Sequence, residues 1–356
     1  MRAVCVAIVA ALLCGCAGTP AKAAPRWSPA AAASYLDARA EWWSGWRDAA
    51  RDRGTFCISC HTALPYALAR PDSVPERAIL DNVRTRARHW ADVSPYYGAR
   101  AKPSAKVIES RGTEAIINAL ILAEADARSG RLSDDTRVAF NHMWELQRPS
   151  GENAGAWPWL QFGLEPWEGE HGEYYGAALA ALAIGTAPER YASTPVIQPN
   201  VGRLRSYLER EFEAQPLSNL AVLLWASTAL PGLVSDDRRA RLAADLCRAQ
   251  EADGGWSLQS LSSHTRWWDP RRLTFHSDGY ATGLAVLALT GTGPDSAPRA
   301  ERGLDWLAAH QDADGSWPGY SLNALEPSSS DAARFMSDAA TAYAVLALGK
   351  PSRQVR

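Results

Sequence analysis

The most specific chemistry in this sequence sits in five consecutive residues, Cys57-Ile58-Ser59-Cys60-His61. This is the spacing that attaches a c-type haem. Two thiols form thioethers with the vinyl groups, and the imidazole takes the iron as proximal ligand. The same side chains also suit a Cys57–Cys60 disulfide in an oxidising compartment, or a thiolate site for zinc or copper. A sixth haem ligand is not identified, since the chain beyond its leader offers Met143, Met336 and scattered histidines. A second set of ionisable residues, Glu114, Glu173, His276, Asp278 and Asp338, lies at or just before the expected openings of helices rich in small apolar residues. Carboxylates beside a thiolate–imidazole centre can tune it or handle protons. Each acid taken alone reads equally well as an N-terminal cap, with Ser277 and Ser337 as the capping residues.

Twelve helical stretches must position these groups, and they alternate between two kinds. Residues 29–51, 75–90, 133–147, 200–213, 235–250 and 298–311 are charged with one apolar face, whereas 57–69, 112–128, 172–185, 217–230, 277–289 and 337–348 are small and apolar nearly all round. A helix apolar on every side must be buried, and a one-sided helix covers it. Six inner and six outer helices in alternation predict an all-α chain forming a single (α/α)6 toroid, which closes on itself and needs no capping repeat. One ring mouth would then gather Cys57, Cys60, His61, Glu114, Glu173, His276, Asp278 and Asp338, and convergent ionisable groups in a concavity are the usual place to find function.

An internal repeat supports the alternation. Gln250-Glu251-Ala252-Asp253-Gly254-Gly255-Trp256 and Gln311-Asp312-Ala313-Asp314-Gly315-Ser316-Trp317 each end an outer helix, turn through Asp-Gly, and lead into Ser-Asp before an inner helix. Glycine takes the left-handed turn conformation cheaply. A looser copy runs from Gln147 through Gly155 and Trp157 to Gly172. Two long aromatic loops, 157–167 and 266–272, precede the third and fifth inner helices, and loops of this length commonly act as lids.

With 47% hydrophobic residues and a net charge of −2, nothing in bulk composition points to nucleic acid. Residues 1–16 read as a lipoprotein-type signal peptide: Arg2, a short apolar run, then Leu13-Cys14-Gly15-Cys16, which places lipid on Cys16. Cleavage near Ala24 is the alternative. The chain is then divided into a linker, 17–26, the toroid, 27–350, and a tail, 351–356. This predicts an exported protein, anchored to a membrane only through lipid, in the periplasm.

The Gln-x-x-Asp-Gly-(Gly/Ser)-Trp segments resemble the QW repeats of squalene–hopene cyclases, and the helix alternation resembles the wider terpenoid cyclase–protein prenyltransferase toroids. The resemblance implies that Gln250, Trp256, Gln311 and Trp317 brace outer helices and stay out of the site. It does not carry the chemistry with it. The alkene-protonating Asp-x-Asp-Asp motif is absent from the sequence, and of the prenyltransferase zinc ligands only Asp278 matches, with Tyr280 and Ala340 where Cys and His are needed. Arg53-Gly54-Thr55-Phe56 ahead of the Cys-x-x-Cys-His motif resembles the approach to a cytochrome c motif. The expected function is therefore a squalene-cyclase-like toroid with a haem or soft-metal centre at its lumen mouth, acting on or binding an apolar isoprenoid- or lipid-like ligand. The alternatives are a c-type haem electron carrier with a redox partner, and a toroid acting on carbohydrate.

Overall fold

Serine caps four of the outer helices. Ser28, Ser73, Ser133 and Ser235 each accept a hydrogen bond from a backbone N–H of the first turn, satisfying donors that have no partner within the helix. In the computed structural model, which describes residues 27–98, 104–262, 276–323 and 329–349, the elements are α1 (Pro29–Gly45), α2 (Ala63–Ala69), α3 (Val74–Arg88), α4 (Ala105–Ser129), α5 (Asp134–Glu145), α6 (Gly172–Thr186) and α7 (Gln198–Arg210). They continue with α8 (Leu217–Ala229), α9 (Asp236–Arg248), the short α10 (Leu258–Leu261), α11 (Gly279–Leu289), α12 (Ala297–Ala309) and α13 (Asp331–Gly349). The segment 1–16 with Cys16, the linker 17–26, the tail 351–356 and the loop 266–272 lie outside the described residues.

The inner ring closes. Helix α2 packs on α4, α4 on α6, α6 on α8, α8 on α11, α11 on α13, and α13 returns to α2. The outer helices α1, α3, α5, α7, α9 and α12 flank this ring. Among the described residues there is no strand, so the fold is an all-α toroid. Small residues let the inner helices approach: a Cβ on Gly283 of α11 would lie 2.6 Å from the backbone of Tyr343 in α13.

The QW turns hold the wall as the resemblance implies. Trp157, Trp256 and Trp317 are fully buried, and each donates its indole N–H to a carbonyl in the last turn of the preceding outer helix: Met143, Leu246 and Leu307. Helix ends leave carbonyls short of i+4 donors, and the indole supplies one; Met143 and Leu307 also accept from the capping N–H groups of Leu146 and His310. Gln147, Gln250 and Gln311 each donate to a carbonyl of their own turn and to one at the start of the next outer helix: Asn200, Arg299 and Ser28. The third of these joins the last repeat to the first.

Four boundaries differ from expectation by several residues. Helix α1 stops at Gly45 rather than 51. Residues 57–62 are not helical, because the Ser59 hydroxyl accepts from the Thr62 and Ala63 N–H groups and starts the helix only there. Helices α4 and α13 begin well before 112 and 337, so Glu114 and Asp338 lie inside them rather than at their openings.

Candidate functional site

His61, placed by the Ser59 turn, projects into an aromatic cage. Its ring stacks on Phe335 at 4.0 Å, meets the edge of Trp43 at 4.9 Å and lies 6.4 Å from Trp167. It keeps partial exposure, yet burial among these rings pushes its pKa down to about 3, with Arg39 adding to the effect. The imidazole is therefore neutral. Its Nδ1 lies 2.8 Å from the Thr62 hydroxyl, and that hydroxyl lies 2.7 Å from Asp338 Oδ2. Asp338 Oδ1 also accepts from Arg39 Nε at 2.7 Å and Tyr35 Oη at 3.0 Å. Burial raises the Asp338 pKa, and the Arg39 contact opposes the rise.

Cys57 and Cys60 are free thiols, both buried in the core. Burial pushes the Cys57 pKa up to about 12 and that of Cys60 well above its ordinary value, so both are protonated. Tyrosines from three inner helices meet within the electrostatic reach of Cys60. Tyr280 lies 4.7 Å from Tyr343, Tyr175 hydrogen-bonds to Tyr343, and Trp167 donates to the Tyr280 hydroxyl at 3.1 Å.

Beside this cluster stands a residue that sequence reasoning missed. Glu168 belongs to the loop closed by the backbone pairing of Leu164 with Glu168, and its charge acts on Cys60, Cys57 and Tyr97. Burial raises its pKa to about 7, with Lys106 opposing. The only sequence signal was its place immediately after the Trp-rich loop 157–167. Between pH 4.5 and 7 the folded protein holds a proton that the unfolded chain has released, so stability should fall as pH rises through this window. Denaturation of Glu168→Gln against wild type checks this: the slope should flatten in the variant, and an unchanged slope would exclude Glu168 as its source.

The mouth does not gather every expected residue. Asp338 joins His61 through Thr62, but Glu114 faces outward into a buried ion pair with Arg86 of α3. Glu173 is held by Arg148 and Asn153 at the third QW-like turn, both at Oε2. Asp278 caps α11: its carboxylate accepts from the Ala281 and Leu258 N–H groups, while burial raises its pKa to about 7. Asp278, and not Ser277, is the cap, because Ser277 donates to Asp253. His276 is exposed on the rim near Tyr320.

Among the described residues, no three His, Cys, Asp or Glu side chains converge as a metal-holding group. The donor chemistry of the Cys-x-x-Cys-His segment nevertheless suits a haem or a single metal ligand. It offers two unpaired thiols and a neutral imidazole whose Nδ1 is already engaged, leaving Nε2 for a ligand.

The described residues form an all-α toroid braced by its Gln–Trp turns. Residues 223–326 match the family model described as the squalene–hopene cyclase C-terminal domain. Among solved structures, a "Glycosidase E178A" is similar with 15% identity and a TM-score of 0.50, covering 90% of this chain and 97% of that one. An ent-copalyl diphosphate synthase from Streptomyces platensis is similar with 19% identity and a TM-score of 0.48, over 80% of this chain and 48% of that one. The chain thus spans about half the length of that synthase. Likeness at these identities concerns the fold alone. No curated protein sequence matches the chain.

Proposed function

We propose that this toroid binds or transforms an apolar, isoprenoid- or lipid-like ligand at the mouth of its lumen, with Cys57, Cys60 and His61 as a haem- or metal-holding centre. The observation that carries the reading is the His61 cage: a neutral imidazole set among the rings of Trp43, Phe335 and Trp167. Rings on several sides favour an apolar or cationic occupant over a strongly hydrated one. A bound haem or metal would supply a Lewis-acidic or redox centre, held by His61 and, for haem, by thioethers to Cys57 and Cys60. Glu168, the protonatable carboxyl nearest the thiols by its electrostatic effect, would exchange protons near neutral pH.

Two measurements test the reading. Protein matured with haem-attachment machinery should show a Soret band that survives acid–acetone extraction, or else stoichiometric bound metal. His61→Ala should lose that metal or shift that band. An unchanged spectrum and metal complement in His61→Ala would remove His61 from the centre. Titration with farnesol should quench tryptophan fluorescence through Trp43 and Trp167. A Soret band without any response to farnesol would favour the electron-carrier alternative.

Export completes the proposal, since bacterial haem attachment takes place outside the cytoplasm. Cells treated with globomycin should accumulate the unprocessed precursor, and normal processing would count against lipid on Cys16.

A further inference from the structure

The hydrogens around His61 can be counted, and the count fixes which ring nitrogen is free. Asp338 is 1% exposed and lies against the Arg39 guanidinium, with Oδ1 receiving both Arg39 Nε and Tyr35 Oη. The Arg39 guanidinium, 2.7 Å from Oδ1, favours the ionised carboxylate, which only accepts. The Thr62 hydroxyl, 3% exposed, therefore spends its single hydrogen on Asp338 Oδ2 at 2.7 Å. Towards His61 Nδ1, 2.8 Å away, it can then only accept.

Resting on the reading of His61 as the working group, we infer that Asp338, through the Thr62 hydroxyl, holds His61 as its Nδ1–H tautomer and so leaves its Nε2 unprotonated. Asp338 and Thr62 are thus positioning residues, and the ligand they prepare for is a haem iron, a borderline metal ion or an O–H donor. Carboxylate support of a ligating histidine is ordinarily direct. Here a hydroxyl relays it between α13 and the segment before α2, so the Cys-x-x-Cys-His motif depends on the last inner helix of the chain.

The relay makes a forecast that a merely structural contact does not. In Asp338→Asn the amide oxygen must stay with Arg39 and Tyr35, because both are donors, and this turns the amide N–H towards Thr62. Thr62 must then accept from Asn and donate to Nδ1, which inverts the tautomer. Thr62→Ser keeps the relay, whereas Thr62→Val removes it.

The test is nitrogen-15 NMR of the full chain, labelled at histidine and purified without added haem or metal, with the His61 signals identified by their loss in His61→Gln. Wild type and Thr62→Ser should show a protonated, pyrrole-type Nδ1 and a pyridine-type Nε2. Asp338→Asn should exchange the two, and Thr62→Val should lose the single-tautomer pattern. A wild-type Nε2–H, or a wild-type pattern retained in Asp338→Asn, overturns the inference. If Asp338→Asn fails to fold, Thr62→Val alone decides, and retention of the wild-type pattern there overturns it too. Because no ligand is present, failure of the farnesol or haem experiments leaves this result separate.

Discussion

Truncating Trp256 to alanine should destabilise the protein by about 3–5 kcal/mol, the usual range for emptying a fully buried large aromatic site. Three contributions act together at this residue. The indole is completely buried. Its N–H ends the otherwise unpaired Leu246 carbonyl at the last turn of α9. Its ring also packs so closely that a Cβ on Gly303 of α12 would approach within 2.7 Å, so α12 cannot collapse into the void without moving as a unit. Set against a total stability of roughly 5–15 kcal/mol, this is a large share. Trp256→Phe isolates the second contribution, since it keeps most of the ring and leaves the carbonyl unpaired; about 1–3 kcal/mol should be lost. Urea denaturation at constant slope measures both. A loss below about 1 kcal/mol for Trp256→Ala would mean that the turn is not a brace.

The brace and the ring were legible because burial leaves a periodic record. Helices α6, α8 and α11 are apolar all round and lie buried in the inner ring, whereas α9 and α12 are one-sided and flank it. The Asp-Gly turns were legible for a local reason, with Gly254 and Gly315 both at positive φ. The mouth was less legible because its membership depends on where a helix begins. The mixed segment Ala105 to Arg111 extends α4 towards its N-terminus, which carries Glu114 into the third turn and onto Arg86. The early start of α13 similarly makes Asp338 an interior residue, bonded to a hydroxyl rather than to a capping N–H. Asp278 kept the capping role open to every acid on the list, since α11 has no such extension. Glu168 left no periodic trace: it sits on an irregular loop, and its altered acidity comes from burial by elements far away in sequence.

Glu114 provides the sharpest test of that distinction between wall and mouth. Its carboxylate is fully buried, with Oε1 2.6 Å from Arg86 Nε and Oε2 3.4 Å from Arg111. Arg86 is buried just as completely, donates to the Thr55 hydroxyl and the Ser94 carbonyl, and stacks over Tyr96 at 4.5 Å. Removing one partner strands the other charge in a low-dielectric wall, so Glu114→Gln, Glu114→Leu or Arg86→Met should each cost about 3–5 kcal/mol. Replacing both together, as Arg86→Met with Glu114→Leu, should recover most of that loss, because apolar residues of similar volume no longer leave a charge unsolvated. Non-additivity in this double-mutant cycle is the diagnostic. A catalytic acid at the mouth makes the opposite forecast: Glu114→Gln would spare stability and abolish the farnesol or haem signal. The expectation from its position is a strongly destabilised Glu114→Gln that keeps the His61 tautomer and the ligand response wherever it remains folded.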